Sequence, residues 1–330
     1  MKIIIPMAGI GKRMRPHTLT VPKPLLKIAG KSIVERLVDN IGVGDDVKEI
    51  HFVVGNFGED VEAKLMDLAK SKGANGFIHY QKEALGTAHA IYCADEALNG
   101  NVVIAFADTL FLGDFSIDEE DEAIVWTKIV KNPEAYGVIK EENGEIITGF
   151  YEKPNEFISD KAIIGIYYFK KGEDLKREIE YLLDNDVKVG KEYQLTDALK
   201  NLLKRKIRFK SKVIDEWLDC GNKDEYLKSC MRILEIENFN FSKDLENGNR
   251  IVGPVYIGKD VIVRNSFVGP NVCIEDNSII DVSTLVNTII GSDTKILKST
   301  LINSIIGNEC VIKSGKGELN IGDFNEYEGK

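Results

Sequence analysis

Pro6-Met7-Ala8-Gly9-Ile10-Gly11-Lys12-Arg13, followed by Arg15-Pro16 and by Pro22-Lys23-Pro24-Leu25-Leu26, is the stretch from which the rest of the chain can be read. A short apolar run at residues 2–5 enters it as a strand. Small residues and two glycines let the backbone approach a ligand closely and leave amide N–H groups to face it. Arg13, Arg15 and Lys23 add cations around the same spot, and amides with fixed cations suit a polyphosphate. Spacing excludes two other phosphate loops. A dinucleotide fingerprint needs glycine at position 14, where Met14 stands, and a helix after it; this loop runs on through Pro16. A Walker loop ending on Gly30-Lys31-Ser32 needs glycine at position 25, which is Leu25. Taken alone, the stretch also reads as a structural turn carrying surface arginines.

The chain has 330 residues, enough for one large domain and a smaller one. Apolar residues make up 43% and charged residues 29%, the balance of a soluble globular protein. A net charge of -10 disfavours nucleic acid or an anionic membrane as partner, because no excess basic field attracts one. Phosphate-binding cations must therefore be local. No apolar run has the length of a membrane span, and the N-terminal strand followed by Pro and Gly is not a signal peptide. Cys93, Cys220, Cys230, Cys273 and Cys310 lack C-x-x-C spacing, so reduced structural thiols and a cytoplasmic location are expected.

Past the loop, Ser32 is a candidate N-cap, and Ile33, Val34, Leu37, Val38 and Ile41 recur at helical spacing. Residues 50–54, 77–80 and 102–106 read as buried strands, alternating with helices over 61–69 and 86–98. Such βαβ order implies an α/β, Rossmann-like domain with a mixed, mostly parallel sheet, which binds ligands at the carboxyl ends of its strands. Between residues 122 and 169 the pattern turns antiparallel, with a hairpin expected at Asn143-Gly144. Residues 222–236 read as a helix closing a catalytic domain of residues 1–240.

The spaced run Ala8-Gly9-x-Gly11-x-Arg13, Arg15-Pro16-x-Thr18, Pro22-Lys23-Pro24-Leu25 and Gly30-Lys31 resembles the signature of the sugar-1-phosphate nucleotidyltransferases, or NDP-sugar pyrophosphorylases. The resemblance is close to glucose-1-phosphate uridylyl- and thymidylyltransferases, though thymidylyltransferases often carry Gln where Pro24 stands. It implies that Ala8, Gly9 and Gly11 line the nucleotide, that Arg13 and Lys23 act on its phosphates, and that Gln81, Gly86 and Thr87 read a pyrimidine edge. An amide side chain offers both donor and acceptor for that purpose; a capped helix start is the other reading of residues 81–88. Asp108 and Asp219 are implied as ligands of Mg²⁺, which prefers hard oxygen and shares it with phosphates. Each also reads as an ordinary loop aspartate. Tyr136, Gly137 and Glu152 would meet sugar hydroxyls and Lys153 the sugar phosphate, with Tyr167 a weaker candidate because an aromatic in a strand is usually core. Glu192 to Asp197 matches a family signature but reads as structural helix entry, and His89 as a plain helix residue.

From Ile251 the composition changes. Ile251, Ile257, Val263, Val268, Ile274, Ile280 and Val286, then Ile290, Ile296 and Ile302, then Ile306 and Ile312 recur about every six residues, with Gly, Asn, Asp and Ser between. This hexapeptide rhythm predicts a small left-handed β-helix over residues 250–312, imperfect near Val268, Ile290 and Ile306. A β-sandwich is the alternative. Residues 313–330 read as a polar, poorly ordered tail. Acyltransferases of this β-helix type use a histidine base, and all four histidines here lie at or before His89; packing or homo-oligomer contacts are therefore expected of the coil.

The expected activity is Mg²⁺-dependent transfer from NTP, UTP or dTTP favoured, to a sugar 1-phosphate, glucose 1-phosphate favoured. A mannose-1-phosphate guanylyltransferase and a non-catalytic subunit sensing an NDP-sugar are the alternatives.

Overall fold

Runs of branched and aromatic side chains, buried nearly continuously in the central strands and separated by amphipathic helices, build a nine-stranded sheet. The strands are β1 (Lys2–Pro6), β2 (Glu49–Val54), β3 (Asn75–Tyr80), β4 (Val102–Ala105), β5 (Ala123–Ile129), β6 (Gly137–Glu142), β7 (Ile146–Glu152), β8 (Lys161–Phe169) and β9 (Phe209–Val213). Their order across the sheet is β3-β2-β1-β4-β8-β5-β9-β7-β6. The β3-β2-β1-β4 half is parallel; β8 runs antiparallel to both β4 and β5, and the β6–β7 hairpin closes the far edge. The computed structural model describes residues 1–42, 47–118, 120–239, 242–245 and 248–329.

The helices are α1 (Ile33–Ile41), α2 (Glu59–Ser71), α3 (Thr87–Tyr92), α4 (Gly172–Asp184), α5 (Leu195–Lys204) and α6 (Lys223–Ile236). In α1 the five residues at helical spacing are all buried. Ser32, the candidate N-cap, immediately precedes α1 and pairs with Lys27 in a two-residue ladder. The segment expected as one helix over 86–98 stops at Tyr92 and resumes as a 3₁₀ turn at Asp95–Ala97, a break that lets Ala94, Ala97 and Leu98 all reach the core. The hairpin forms at Asn143-Gly144, both at positive φ, with Glu142 paired to Ile146. No helix among the described residues is long and apolar enough to cross a membrane.

The second architecture is a parallel β-helix. Three sheets stack, one per side of the coil, and every neighbouring pair from Asn249–Val252 onward is parallel. Val255 pairs with Val272, Val272 with Thr288, and Ile305 with Asn320, so a coil takes 17, 16 or 15 residues rather than three full hexapeptides. The shortened sides move the inward positions: Leu285 and Leu301 point to the core, whereas the expected Val286 and Ile302 do not, and Ile302 is 42% exposed. Corners turn on left-handed residues in vertical files, Asn271, Asn287 and Asn303 among them. Asparagine tolerates that conformation, and here its side chains bond from coil to coil at 2.9 and 3.2 Å. Residues past 313, expected to be a disordered polar tail, add another coil: Lys316–Gly317, Asn320–Ile321 and Glu326–Glu328 pair in register with the coil below. Their polarity reflects outward-facing positions, while the backbone hydrogen bonds of the ladder hold them.

By contacts the chain divides into two compact units. The first is Met1–Gly9 with Glu35–Trp217; the second is Ile10–Val34 with Leu218–Lys330. The boundary expected at residue 240 and the last residue, 330, lie outside the described residues. The loop bearing Arg13 and Lys23, expected in the catalytic domain with the sheet, groups with the β-helix.

Candidate active site

In the second unit the candidate phosphate loop is built on Gly11. Gly11 sits at φ +65, and a Cβ there would stand 3.0 Å from Cβ of Lys23 and 3.2 Å from Thr18, so glycine is required twice over. Its carbonyl accepts from Thr18 Oγ1 at 2.8 Å and from the amide of Met14 at 2.9 Å, which closes the 3₁₀ turn Lys12–Met14. Met14 is buried and Arg13 exposed, so the turn points its guanidinium outward. Pro22 and Pro24 frame a second 3₁₀ turn, Lys23–Leu25, in which Lys23 is only 7% exposed. A lysine this buried keeps its stem against the protein and presents a fixed cation.

Arg13 and one of the predicted carboxylates, Asp219, both border Gly221. Gly221 lies between them: a Cβ there would fall 2.8 Å from Oδ1 of Asp219 and 3.4 Å from Nη2 of Arg13. Asp219 ends the strand Glu216–Asp219, and its Oδ1 accepts from the Gly221 amide at 2.7 Å. Its carbonyl accepts from Ser229 of α6 at 2.9 Å. The aspartate is thus oriented by a turn of its own making and by the following helix.

The remaining candidates belong to the first unit. Ala8 and Gly9 follow β1, and Asp108 follows β4, its parallel neighbour; the amide of Ala107 donates to Pro6 O across the two strand ends. Gly9 has open space where a side chain would be. Asp108 stands in the turn closed by Thr109 N to Phe106 O, and Thr109 Oγ1 pins that turn to Ile164 O at 2.7 Å.

Gln81 follows β3. Its Nε2 donates to Gly86 O at 3.2 Å and to His89 Nδ1 at 3.1 Å. The carbonyl can only accept, which fixes the nitrogen on that side of the amide. Burial lowers the His89 pKa, so the neutral ring can accept at Nδ1. His89 therefore orients Gln81 and is more than the plain helix residue expected; its i+3 spacing from Gly86 was the available signal. Gly86 has φ +109 and would drive a Cβ to 2.5 Å from Tyr193 O, so its glycine serves backbone packing. Thr87 likewise acts within the fold, its Oγ1 accepting from the Leu195 amide at 2.9 Å.

Tyr136, Gly137, Glu152 and Lys153 come together across the hairpin. Gly137 pairs with Glu152, and the Lys153 amide donates to Tyr136 O at 3.1 Å. Lys153 holds φ +41, an uncommon conformation that costs a non-glycine residue energy and marks sites where side-chain direction matters. Glu152 Oε2 accepts from Thr196 Oγ1 at 2.8 Å, which gives the residue 192–197 signature a site partner that helix-entry reasoning did not find. Trp217 packs edge-on against Tyr136 with ring centroids 5.0 Å apart, and its indole N–H is buried without a partner among the described residues. Tyr167 lies in the core, 7% exposed, edge-on to Phe106. Burial first, then the charge of Glu152, pushes its phenol pKa up, so it stays neutral at working pH.

Among the described residues no group of three or more His, Cys, Asp or Glu forms a ready-made metal cage. Asp108 and Asp219 each offer the hard carboxylate oxygen that suits Mg²⁺, an ion that completes its shell with water and substrate phosphates.

Residues 2–236 match the nucleotidyl transferase family. The bifunctional protein GlmU of Methanococcus vannielii is 31% identical over 306 residues, a match covering 87% of this chain and 71% of the relative. GlmU of Clostridium novyi is 30% identical over 299 residues, covering 84% of this chain and 62% of that protein. A solved UDP-glucose pyrophosphorylase in complex with UDP-glucose superposes with a TM-score of 0.59 at 25% identity, covering 71% of this chain and 98% of that one.

Proposed function

Because the chain belongs to the nucleotidyl transferase family, we propose that it joins the nucleotidyl group of an NTP to a sugar 1-phosphate and releases pyrophosphate. An oxygen of the sugar phosphate attacks the α-phosphorus in line; the bond to the β-phosphate bridging oxygen breaks, and its electron pair leaves with pyrophosphate. A phosphate monoester is already ionised near neutral pH, so no general base is needed. Catalysis is alignment and charge stabilisation. Arg13 takes the charge growing on the departing pyrophosphate, Lys23 the α-phosphate, and Lys153 steers the incoming phosphate. Ala8, Gly9 and Gly11 keep side chains out of the nucleotide's way. Asp108 and Asp219 would hold Mg²⁺, which when bound neutralises phosphate charge.

The observation that carries this reading is the convergence of Arg13 and Asp219 on Gly221, within the stretch matched by the family. A cation and a carboxylate held side by side suit a phosphate and its metal ion. The base reading rests on Gln81. Both of its bonds use the amide nitrogen, so its oxygen is the atom that can accept from a base. Uracil and thymine offer N3–H; cytosine and adenine present an acceptor at the corresponding edge. UTP and dTTP are therefore favoured over CTP and ATP, with glucose 1-phosphate as acceptor, the sugar carried by the nucleotide bound in the structural neighbour.

The test is pyrophosphate release from each NTP against glucose, galactose, mannose and N-acetylglucosamine 1-phosphates, with Mg²⁺ and with EDTA. Arg13→Ala and Asp219→Asn are expected to lower turnover by about 10²–10³-fold with the fold retained. Near-normal turnover in Asp219→Asn would remove that residue's metal role, and activity with GTP alone would overturn the base assignment. A chain that releases no pyrophosphate with any pair would be the non-catalytic binder instead.

A further inference from the structure

The segment carrying Arg13 and Lys23 is gripped from the β-helix at both ends. At one end His17, buried, pairs through Nε2 with Asn320 Oδ1 at 2.7 Å. Thr20 Oγ1 donates to Asp323 Oδ2 at 2.6 Å. Pro16 lies against Gly322, where a Cβ would come within 2.9 Å of the proline Cβ and 3.2 Å of its carbonyl oxygen. These three partners sit on the final coil. At the other end the Gly30 amide donates to Glu275 Oε1 at 3.0 Å, Lys27 pairs with the same carboxylate at 3.6 Å, and Tyr226 of α6 donates to Lys27 O. Tyr256 packs so close under Gly30 that a Cβ would overlap its hydroxyl. Arg13 and Lys23 lie on or beside the stretch these contacts hold, in the same compact unit as the coil.

We propose that the final coil of the β-helix is a positioning element for nucleotidyl transfer, in which Asn320 and Asp323, acting through His17 and Thr20, set where Arg13 and Lys23 stand. This rests on the phosphate roles given to those two cations above. Two independent features support positioning over mere stacking. The coil side chains bond to side chains of the loop, whereas elsewhere the coils bond chiefly to one another through files of Ser, Thr and Asn. And the coil is cut to glycine where the loop crosses it, so that distance as well as bonding is specified. A displacement of about 1 Å at a catalytic group can cost roughly 10²-fold in rate. Holding a loop to a rigid ladder is a direct way to prevent it.

The experiment uses the full chain and two readouts. Hydrogen exchange of the amides at residues 11–25 reads the grip itself and needs no activity. Turnover and KM, for the most active pair in the pyrophosphate-release panel, read its consequence. In Gly322→Ala and in Asn320→Ala with Asp323→Ala, exchange over residues 11–25 is expected to rise about tenfold or more. kcat should fall about 10- to 100-fold while KM for the sugar 1-phosphate changes less than about twofold. Asn320→Asp keeps an acceptor for His17 and should recover most of the turnover. Ile312→Ala, which empties a core position of the coil without touching the loop, measures what lost stability alone does. Unchanged exchange in the loop variants, or unchanged kcat in an active chain, overturns the inference; so does an equal loss of kcat in Ile312→Ala at matched melting temperature. If the wild type is inactive with every pair, the proposed function fails, and the exchange readout still decides whether the coil holds the loop.

Discussion

Single residues carry more than one duty here, and environment decides which duty a residue shows. Gly86 and Thr87, named as candidates at a base, also join α3 to the segment around Tyr193 and Leu195. Gln81 is oriented by His89 and Gly86, both bonded through its amide nitrogen. Histidine also sets the response to pH. His51 is buried, bonded to His79 at 2.9 Å and to Glu49 at 3.0 Å, and stacked on Phe77. Burial, the largest effect, lowers its pKa; the hydrogen bond His51 donates to Glu49 works against that. The unfolded chain therefore takes up this proton first as pH falls. Stability from the neutral site is complete above about pH 6.5 and declines below it, by up to about 1.4 kcal/mol per pH unit for one proton. Melting temperatures across that range should fall more steeply for the wild type than for His51→Gln. Equal slopes would mean the imidazole charges in the folded state after all.

At the level of elements, the β-helix shows how pattern and geometry part company. A hexapeptide count selects Val286 and Ile302 as core; the coils, shortened to 16 or so residues, select Leu285 and Leu301. Burial decides the energetic outcome. Leu301, with no exposed surface, should lose about 2–5 kcal/mol on change to Ala, whereas Ile302→Ala should stay within about 0.5 kcal/mol. Denaturant midpoints of the two variants check this, and the reverse ranking would restore the hexapeptide register. The final coil teaches the same lesson. Its sequence is polar because three of its faces meet water or the loop, yet ladder pairing and the Asn320 and Asp323 bonds order it.

For the whole molecule, the two units differ in what they contribute. The first supplies the sheet, the Gln81 network and the Glu152–Lys153 corner; the second supplies Arg13, Lys23 and Asp219. On the proposed function, a nucleotide bound by these residues stabilises the folded state that holds it. UTP or dTTP with Mg²⁺ at about 100 times Kd should add about 2.7 kcal/mol, seen as a raised melting temperature, and EDTA should remove most of the gain. A nucleotide shift that is indifferent to EDTA would argue against the carboxylate pair as a metal site.

Much of this protein was written in local order. The spacing of glycines, prolines and cations around Arg13 and Lys23 announced a phosphate loop, because backbone reach and charge are properties of neighbouring residues. Short apolar runs, a period of about 3.6 and one of about six announced strands, helices and coil, because each is set by residues close together in the chain. The partners of that loop were not legible. His17 and Asn320 stand 303 positions apart, and whether they meet depends on how many residues each coil consumes and where the corners fall. Those quantities emerge only when all the ladders close together. The residues of the candidate site were therefore legible in the sequence read along its length, and the long-range partners that hold them were decided by the tertiary structure.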